Sequence, residues 1–450
     1  MSKIFRASRY NLYTHDFDGN FLIANLLHNS FIKADKSVGG AVESLLLHSP
    51  VISEEDIVRY PQLHHFNMIV DVSVDELELA NLKYYMTAFS NNSLDLTIIP
   101  TDACNFHCVY CYQENRDNKM MPEDNWRTIL VFLSKNVSKF KRVNINWFGG
   151  EPLLAKELVV EFMKSAKKIC NDYRIPLIST ITTNGYELDL ETFREFLKYN
   201  LFYFQITIDG IKDTHNQQRP HKINDDSFER ILQNLRNIAD SEKGYYRIAI
   251  RNNITNTVMR HMDEYLDELS YFAGNERFQI HWQYVKDFGG EQIHNLEQDR
   301  IYTPISFLDF INNATQRGIG SFAYRLFSTG MGLCEAAKKN AFYVDPDLKL
   351  HKCSISLYGS NENRELNNVG YIDKKGDLHI DEGKEARWLV REPLDKECLE
   401  CVYFPLCFSH TCPLSRKVIR KKSCIMEKDE LTYLMRYLSN TSVFTTLNLE

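Results

Sequence analysis

Between residues 93 and 285, six short apolar runs alternate with longer amphipathic stretches: 94–100, 143–148, 177–183, 202–208, 247–254 and 278–285. Each run is rich in Ile, Val, Phe, Tyr and Thr, the residue types that suit a pleated strand. The stretches at 157–171, 190–200, 227–241 and 261–272 repeat apolar residues at helical spacing. Another helix opens at Pro122-Glu123-Asp124, with acids at the positive end of its dipole and Lys135 and Lys139 towards the other end. Strand–helix alternation of this kind implies parallel pairing with right-handed crossovers. Six repeats are too few to close an eight-stranded barrel, so an α/β fold with an open (β/α)6 partial barrel is expected.

Parallel sheets gather their active sites at the carboxyl ends of the strands. The polar motifs of this chain fall there. Cys104, Cys108 and Cys111 form a C-x3-C-x2-C loop after the first run. Gly149-Gly150-Glu151 follows the second, Thr182-Thr183-Asn184-Gly185 the third and Thr207-Ile208-Asp209-Gly210 the fourth, while Asn252 and Asn253 lie towards the end of the fifth. Three thiolates can hold three corners of a 4Fe–4S cubane and leave the fourth iron free to bind a small molecule. Cys spacings of two to four residues also suit zinc, which is the competing reading of the triad.

The C-terminal third carries a second thiol group: Cys334, Cys353, then Cys398, Cys401, Cys407, Cys412 and Cys424. Two structural zinc sites would account for these, but not for a triad beside a Gly-Gly-Glu turn. Cys170 stands alone in a helical stretch and reads as a small buried hydrophobe. The first 90 residues differ in pattern. Asp18-Gly19-Asn20 between two strand-like runs is a hairpin signal, and helical stretches follow.

The segment from Thr101 to Tyr112 resembles the signature of the radical S-adenosylmethionine (SAM) enzymes. The resemblance implies that SAM chelates the open iron through its amino and carboxylate groups. An electron then splits the sulfonium bond and yields a 5′-deoxyadenosyl radical that abstracts hydrogen. Tyr110 would lie near the adenine. Gly149, Gly150 and Glu151 resemble the family's Gly-Gly-Glu motif, which holds the methionine amino group. Thr183, Asn184, Gln205, Thr207, Asp209 and Asn253 would complete the SAM pocket. Asp209-Gly210 followed by His215 and Arg219 resembles a recurrent stretch of this subfamily.

The seven C-terminal cysteines resemble the SPASM extension, which binds two auxiliary 4Fe–4S clusters. By that resemblance Cys398, Cys401, Cys407 and Cys424 hold the distal cluster, and Cys334, Cys353 and Cys412 the proximal one. Two clusters need eight thiolates, so one iron is left to water, a non-Cys ligand or a substrate thiolate. Two departures stand out: the gap from Cys407 to Cys412 is one residue longer than usual, and Leu348 replaces the usual Gly five residues before Cys353.

The expected layout is a winged-helix-like precursor-recognition domain at 1–90, a radical SAM partial barrel at 91–310 and a SPASM domain at 311–450. The wing's edge strand would pair with an extended leader peptide. The resemblance implies three 4Fe–4S clusters, SAM, and an external electron donor such as flavodoxin or ferredoxin. It implies an oxidoreductase that matures a ribosomal precursor peptide by a crosslink, here a thioether to Cys. An anaerobic sulfatase-maturating enzyme, which oxidises Cys or Ser to formylglycine, is the alternative. Those enzymes commonly carry Asp where Ser354 follows Cys353. A zinc-stabilised, non-enzymatic peptide-binding protein is a third reading.

Composition limits the partners. The net charge of −7 over 450 residues disfavours nucleic acid and anionic membranes. The N-terminus lacks the apolar core of a signal peptide, and no apolar stretch is long enough to span a bilayer. With 11 Cys, such a chain points to the cytoplasm and to metal or redox work rather than disulfides.

Overall fold

The computed structural model describes residues 3–113, 115–285, 304–320, 333–392, 394–408, 412–420, 424, 428–440 and 443–447. The chain opens with β1 (Phe5–Ala7), β2 (Asn11–His15), β3 (Phe21–Asn25) and β4 (Ser30–Ala34), the last three forming an antiparallel meander. The β2–β3 turn is fixed by Asp16, whose Oδ1 accepts from the backbone N–H of Asp18 and Asn20, while Gly19 takes a φ of +82°. Three helices follow, α1 (Gly39–His48), α2 (Glu54–Arg59) and α3 (Pro61–His65). Ser53 and Asp56 close a reciprocal capping box on α2. Then come β5 (Ile69–Asp71), paired with β1, and α4 (Glu76–Ala88), capped by Asp75.

Six parallel strands come next in sequence order: β6 (Ser93–Ile98), β7 (Arg142–Trp147), β8 (Leu177–Thr183), β9 (Leu201–Thr207), β10 (Arg247–Ile254) and β11 (Phe278–Tyr284). The crossovers carry α5 (Glu123–Asn136), α6 (Lys156–Asp172), α7 (Leu190–Lys198), α8 (Lys212–Gln218), α9 (Ser227–Ser241), α10 (Asn256–Arg260) and α11 (Met262–Leu269). This is the expected partial barrel.

Its strands are two-sided. Leu94, Leu96, Val143, Ile145, Trp147, Ile181, Phe204, Ile206, Ile248, Ile250, Phe278 and Ile280 are buried in the helix-facing core. The alternate positions are polar: Asp95 and Thr97, Asn144 and Asn146, Thr180 and Thr182, Gln205 and Thr207, Arg251 and Asn253, His281 and Gln283. Side chains on a strand alternate between faces, so this second set lines the inside of the barrel. Several of its members bond across strands: Asn144 to Asp95, Thr180 to Asn146, and Gln205 with His281 at 3.3 Å.

The sheet continues past β6. β12 (Ala341–Val344) pairs parallel to it, and β13 (Lys349–His351), β14 (Asn368–Ile372) and β15 (Leu378–Ile380) add on antiparallel, giving ten strands. The Cys-rich third is therefore joined to the barrel through a shared sheet. A helix at Lys428–Leu438 leads to β16 (Thr445–Leu447), which pairs parallel to β4 in the N-terminal sheet. No helix of the described residues is long and apolar enough to cross a membrane.

Candidate active site

The Cys104–Cys111 loop crosses the carboxyl end of β6 and is clamped from two sides. On one side the turn after β7 zips onto the backbone that leads into the loop. Gly150 N–H donates to Thr101 O (3.1 Å) and Glu151 N–H to Ala103 O (2.8 Å). A Cβ on Gly149 would lie 2.2 Å from Thr101 O, and one on Gly150 would lie 2.1 Å from Ala103 O. The two glycines thus provide backbone-to-backbone approach. Gly149 also holds a φ of +130°. On the other side, the end of α8 and the segment after it receive Val109 N–H at Gln218 O (3.0 Å) and His107 N–H at Pro220 O (2.9 Å).

Glu151 is buried and ties three elements together. Oε1 accepts from Leu153 N–H (2.9 Å) and the Thr183 hydroxyl (2.6 Å), and Oε2 accepts from Asn184 N–H (2.7 Å). Burial raises its pKa even though these donors pull it down. The Asn184 side chain reaches the loop itself, its Nδ2 donating to Asn105 Oδ1 at 2.7 Å.

Tyr110, between Cys108 and Cys111, anchors a second network. Its hydroxyl donates to Asp209 Oδ2 and accepts from Arg219 Nη1 (2.7 Å) and Asn253 Nδ2 (3.0 Å). Asp209 Oδ1 accepts from Asn253 N–H (2.7 Å), and Arg219 lies 3.9 Å from Asp209 Oδ2. Asp209 N–H donates to His215 Nδ1 at 3.1 Å. Burial raises the pKa of Asp209 and lifts that of Tyr110 well above its usual value. It lowers that of His215 well below the usual imidazole range, so the ring is neutral. These contacts bring the Asp-Gly, His and Arg of one sequence stretch onto the Cys loop.

The thiols fit a metal cluster by their chemistry. Burial pushes Cys108 up to about 12 and raises Cys104, and each feels the charge of Cys111. Such thiols hold protons at neutral pH, and bound cations are what keep them as thiolates. Cys334, Cys353 and Cys412 form a second group of mutually interacting thiols, with burial pushing Cys334 to about 11 and Cys353 to about 12. Tyr112 joins the two groups. It is hydrogen-bonded to Ser354 and feels both Cys111 and Cys353. Cys398 and Cys401 share one turn, Cys407 ends the short helix Phe404–Cys407, and Cys424 is exposed. Among the described residues, no three His, Cys, Asp or Glu side chains converge on a single ion. A cubane does not need that, because its irons sit at separate corners.

The Radical SAM superfamily pattern matches residues 98–258, from the end of β6 into α10. This segment is a radical SAM domain. A radical SAM domain works with SAM and a 4Fe–4S cluster, and the chain is accordingly an enzyme. Over 345 residues it is 23% identical to the cysteine-type anaerobic sulfatase-maturating enzyme of Clostridium novyi (strain NT), covering 70% of this chain and 87% of that one. A probable GTP 3′,8-cyclase of Methanocaldococcus jannaschii is 38% identical over 114 residues, 24% of this chain and 34% of the cyclase. Among solved structures, anSMEcpe with bound AdoMet and Cp18Cys peptide superposes with a TM-score of 0.56 at 19% identity, over 77% of this chain and 97% of that one. Streptococcus suis SuiB bound to its precursor peptide SuiA gives 0.51 at 14% identity, over 93% of this chain and 97% of SuiB.

Two features around the site lay outside the sequence expectations. One is the polar inner face, including Arg251 and His281. The other is the Tyr112–Ser354 link. The first had a signal in the sequence, polar residues at alternate positions towards the carboxyl end of each strand. The second had none, because the two residues are 242 positions apart in the numbering.

Proposed function

We propose that the chain is a radical SAM peptide maturase. The observation that carries this reading is the Cys104/Cys108/Cys111 loop, clamped over a polar barrel and joined through Tyr112 to a second thiol group. In the proposal, Cys104, Cys108 and Cys111 hold the SAM-binding 4Fe–4S cluster. Cys334, Cys353 and Cys412 hold a proximal auxiliary cluster, and Cys398, Cys401, Cys407 and Cys424 a distal one. The SAM-binding cluster would supply the electron for reductive cleavage of SAM to a hydrogen-abstracting 5′-deoxyadenosyl radical.

The chain's own residues bind and orient. Gly149, Gly150 and Glu151 set the turn that receives the methionine end of SAM. Thr183, Asn184, Gln205, Thr207, Asp209 and Asn253 line its pocket, and Tyr110 lies against the adenine. Arg219 is a buried guanidinium suited to a carboxylate. The polar inner face then receives a peptide segment, and the modification is a thioether between a Cys thiol and a peptide carbon. The carbon-bound hydrogen would pass to the 5′-deoxyadenosyl group, the thiol would lose its proton, and the one electron left over would depart through an auxiliary cluster, equal to the one that an external flavodoxin- or ferredoxin-type donor would supply. Residues 1–90 serve as the recognition domain for the leader of the precursor. Residues 91–310 form the barrel, and 311–450 the SPASM domain.

The SuiB superposition spans 93% of the chain and that of anSMEcpe 77%, and this favours a maturase with an added N-terminal unit. Sulfatase maturation remains the second reading, favoured by the 87% coverage of the C. novyi enzyme.

Iron counting and mass spectrometry test the proposal. Replacing Cys104, Cys108 and Cys111 by Ala should remove about four of roughly twelve irons per chain and all 5′-deoxyadenosine formation. Replacing Cys334 and Cys353 should remove a different four and leave SAM bound. Zinc in place of iron in the anaerobically purified protein would end the proposal. A precursor peptide co-expressed with the enzyme should lose two hydrogens per crosslink. Formylglycine in a sulfatase peptide would favour the second reading instead.

A further inference from the structure

Lys352, the residue before Cys353, has no exposed side-chain surface. Its Nζ gathers four oxygens from two other segments. It donates to the carbonyls of Lys338 (2.8 Å), Lys339 (3.1 Å) and Ala341 (3.1 Å), in the stretch that follows Cys334. It also lies 3.3 Å from Glu385 Oε1, in the helix Glu382–Leu389. The ammonium sits over the Phe342 ring, 4.3 Å from its centroid.

Asn367, fully buried just before β14, holds the same stretch by its backbone. Its Oδ1 accepts from the N–H of Lys352 (3.0 Å) and of Cys353 (2.8 Å), and its Nδ2 donates to Cys353 O (2.7 Å). The thiols themselves meet backbone donors. Cys334 is hydrogen-bonded by Ala336 N–H, Cys353 by the N–H groups of Ile355 and Ser356, and Cys412 Sγ by Ser415 N–H at 3.4 Å.

Burying an ammonium costs more than burying an apolar side chain of the same shape, and pairing it with one carboxylate seldom makes up the difference. A methionine would fill this space. It could not draw three carbonyls to one point. A fully satisfied buried polar group selects one arrangement of the chain over its alternatives. Here that arrangement is the placing of the Cys334 segment against the Cys353 segment.

We propose that Lys352 and Asn367 are positioning residues that set Cys334 and Cys353 in place for the proximal auxiliary site before metal arrives. They act through the backbone that carries the two thiols. The proposal deepens the functional reading above and rests on it for the claim that these thiols bind iron.

Two measurements test it. The first is hydrogen exchange by mass spectrometry on the wild-type chain stripped of iron by a chelator, with β6–β11 as internal control. Residues 336–342 and 350–356 should stay as protected as in the iron-loaded protein. Exchange of both stretches at the rate of an open loop, with β6–β11 still protected, would overturn the proposal. The second measurement uses a chain in which Cys104, Cys108 and Cys111 are Ala, so that iron on the other thiols is counted alone. Into it go Lys352→Met, and Lys352→Met together with Glu385→Gln, a pair that leaves no buried charge unmatched. The readouts are the melting temperature without iron, the iron bound per chain, and the low-temperature electron paramagnetic resonance spectrum after dithionite reduction. The paired variant should recover the melting temperature that Lys352→Met loses, yet still bind about four irons fewer per chain and lack one signal. A paired variant that regains iron and spectrum together with stability would overturn the proposal, because the lysine would then serve charge balance alone. Should both variants fail to fold, the wild-type exchange decides. A triple-alanine chain that binds no iron would instead overturn the assignment of the C-terminal thiols to clusters.

Discussion

His215 is an imidazole that this fold holds neutral. It is fully buried, and its Nδ1 accepts the Asp209 N–H, so the ring proton sits on Nε2. Burial, then the nearby Arg219 charge, lowers its pKa well below 6.5. Above about pH 6.5 the ring is neutral in both folded and unfolded chains and contributes no slope. Below that, the unfolded chain takes up a proton that the folded chain refuses, and stability falls by up to about 1.4 kcal/mol per pH unit. Denaturant unfolding from pH 7.5 down to 5.5 should show this extra acid sensitivity in the wild type and not in His215→Asn. Parallel pH profiles of the two proteins would rule the account out.

At the same scale, Gly149 and Gly150 were legible as a motif, but their neighbours were not. The space beside them is filled by the carbonyls of Thr101 and Ala103, whose approach depends on how β6 and β7 sit together. Leu348 shows the converse. It stands where the SPASM resemblance leads one to expect Gly, and it holds a left-handed φ of +66° in the tight β12–β13 turn while its side chain stays buried. The cost of that backbone, of order 1–2 kcal/mol, is offset by packing.

The parallel core could be read from sequence because each strand declares both faces. Apolar residues such as Phe204 and Ile206 meet the helices, and polar ones such as Gln205 and Thr207 meet the interior. The added strands were not legible. β12, β13, β15 and β16 are three or four residues long, too short to show a period, and their partners lie far away in sequence. β16 is the sharpest case. It covers the β4 edge through the pairs Thr445 with Ile32 and Leu447 with Ala34, anchored by Leu447 in the N-terminal core and by Phe444 against Phe31. Replacing both Phe444 and Leu447 by Ala should cost roughly 2–5 kcal/mol locally and release the strand. Hydrogen exchange at Ile32–Ala34 should then quicken while β6–β11 stay protected. Unchanged protection of β4 would mean that the edge does not depend on β16.

Over the whole molecule, the first ninety residues and the Cys-rich third behave as partners, far apart in sequence but sharing a core. Tyr10, Leu27, Ala80, Tyr84 and Ala88 pack with Leu333, Ala337, Phe404 and Phe408. Tyr84 is the pivot. Its hydroxyl donates to Leu389 O at 2.8 Å, and the Arg391 guanidinium lies 4.2 Å above its ring while also donating to Asn81 Oδ1 at 2.7 Å. Phe404 and Phe408 stand in the same stretch as Cys401 and Cys407, so this core also adjoins those two thiols. Such sharing has a thermodynamic consequence, because a cavity opened at Tyr84 cannot loosen one partner alone. Tyr84→Ala should cost on the order of 3–5 kcal/mol. Exchange by mass spectrometry should quicken together in α4 and in residues 386–408, and any iron held by the C-terminal thiols should be lost more readily to a chelator. If α4 alone loosened and residues 386–408 kept their protection and their iron, the two parts would be neighbours rather than one cooperative unit.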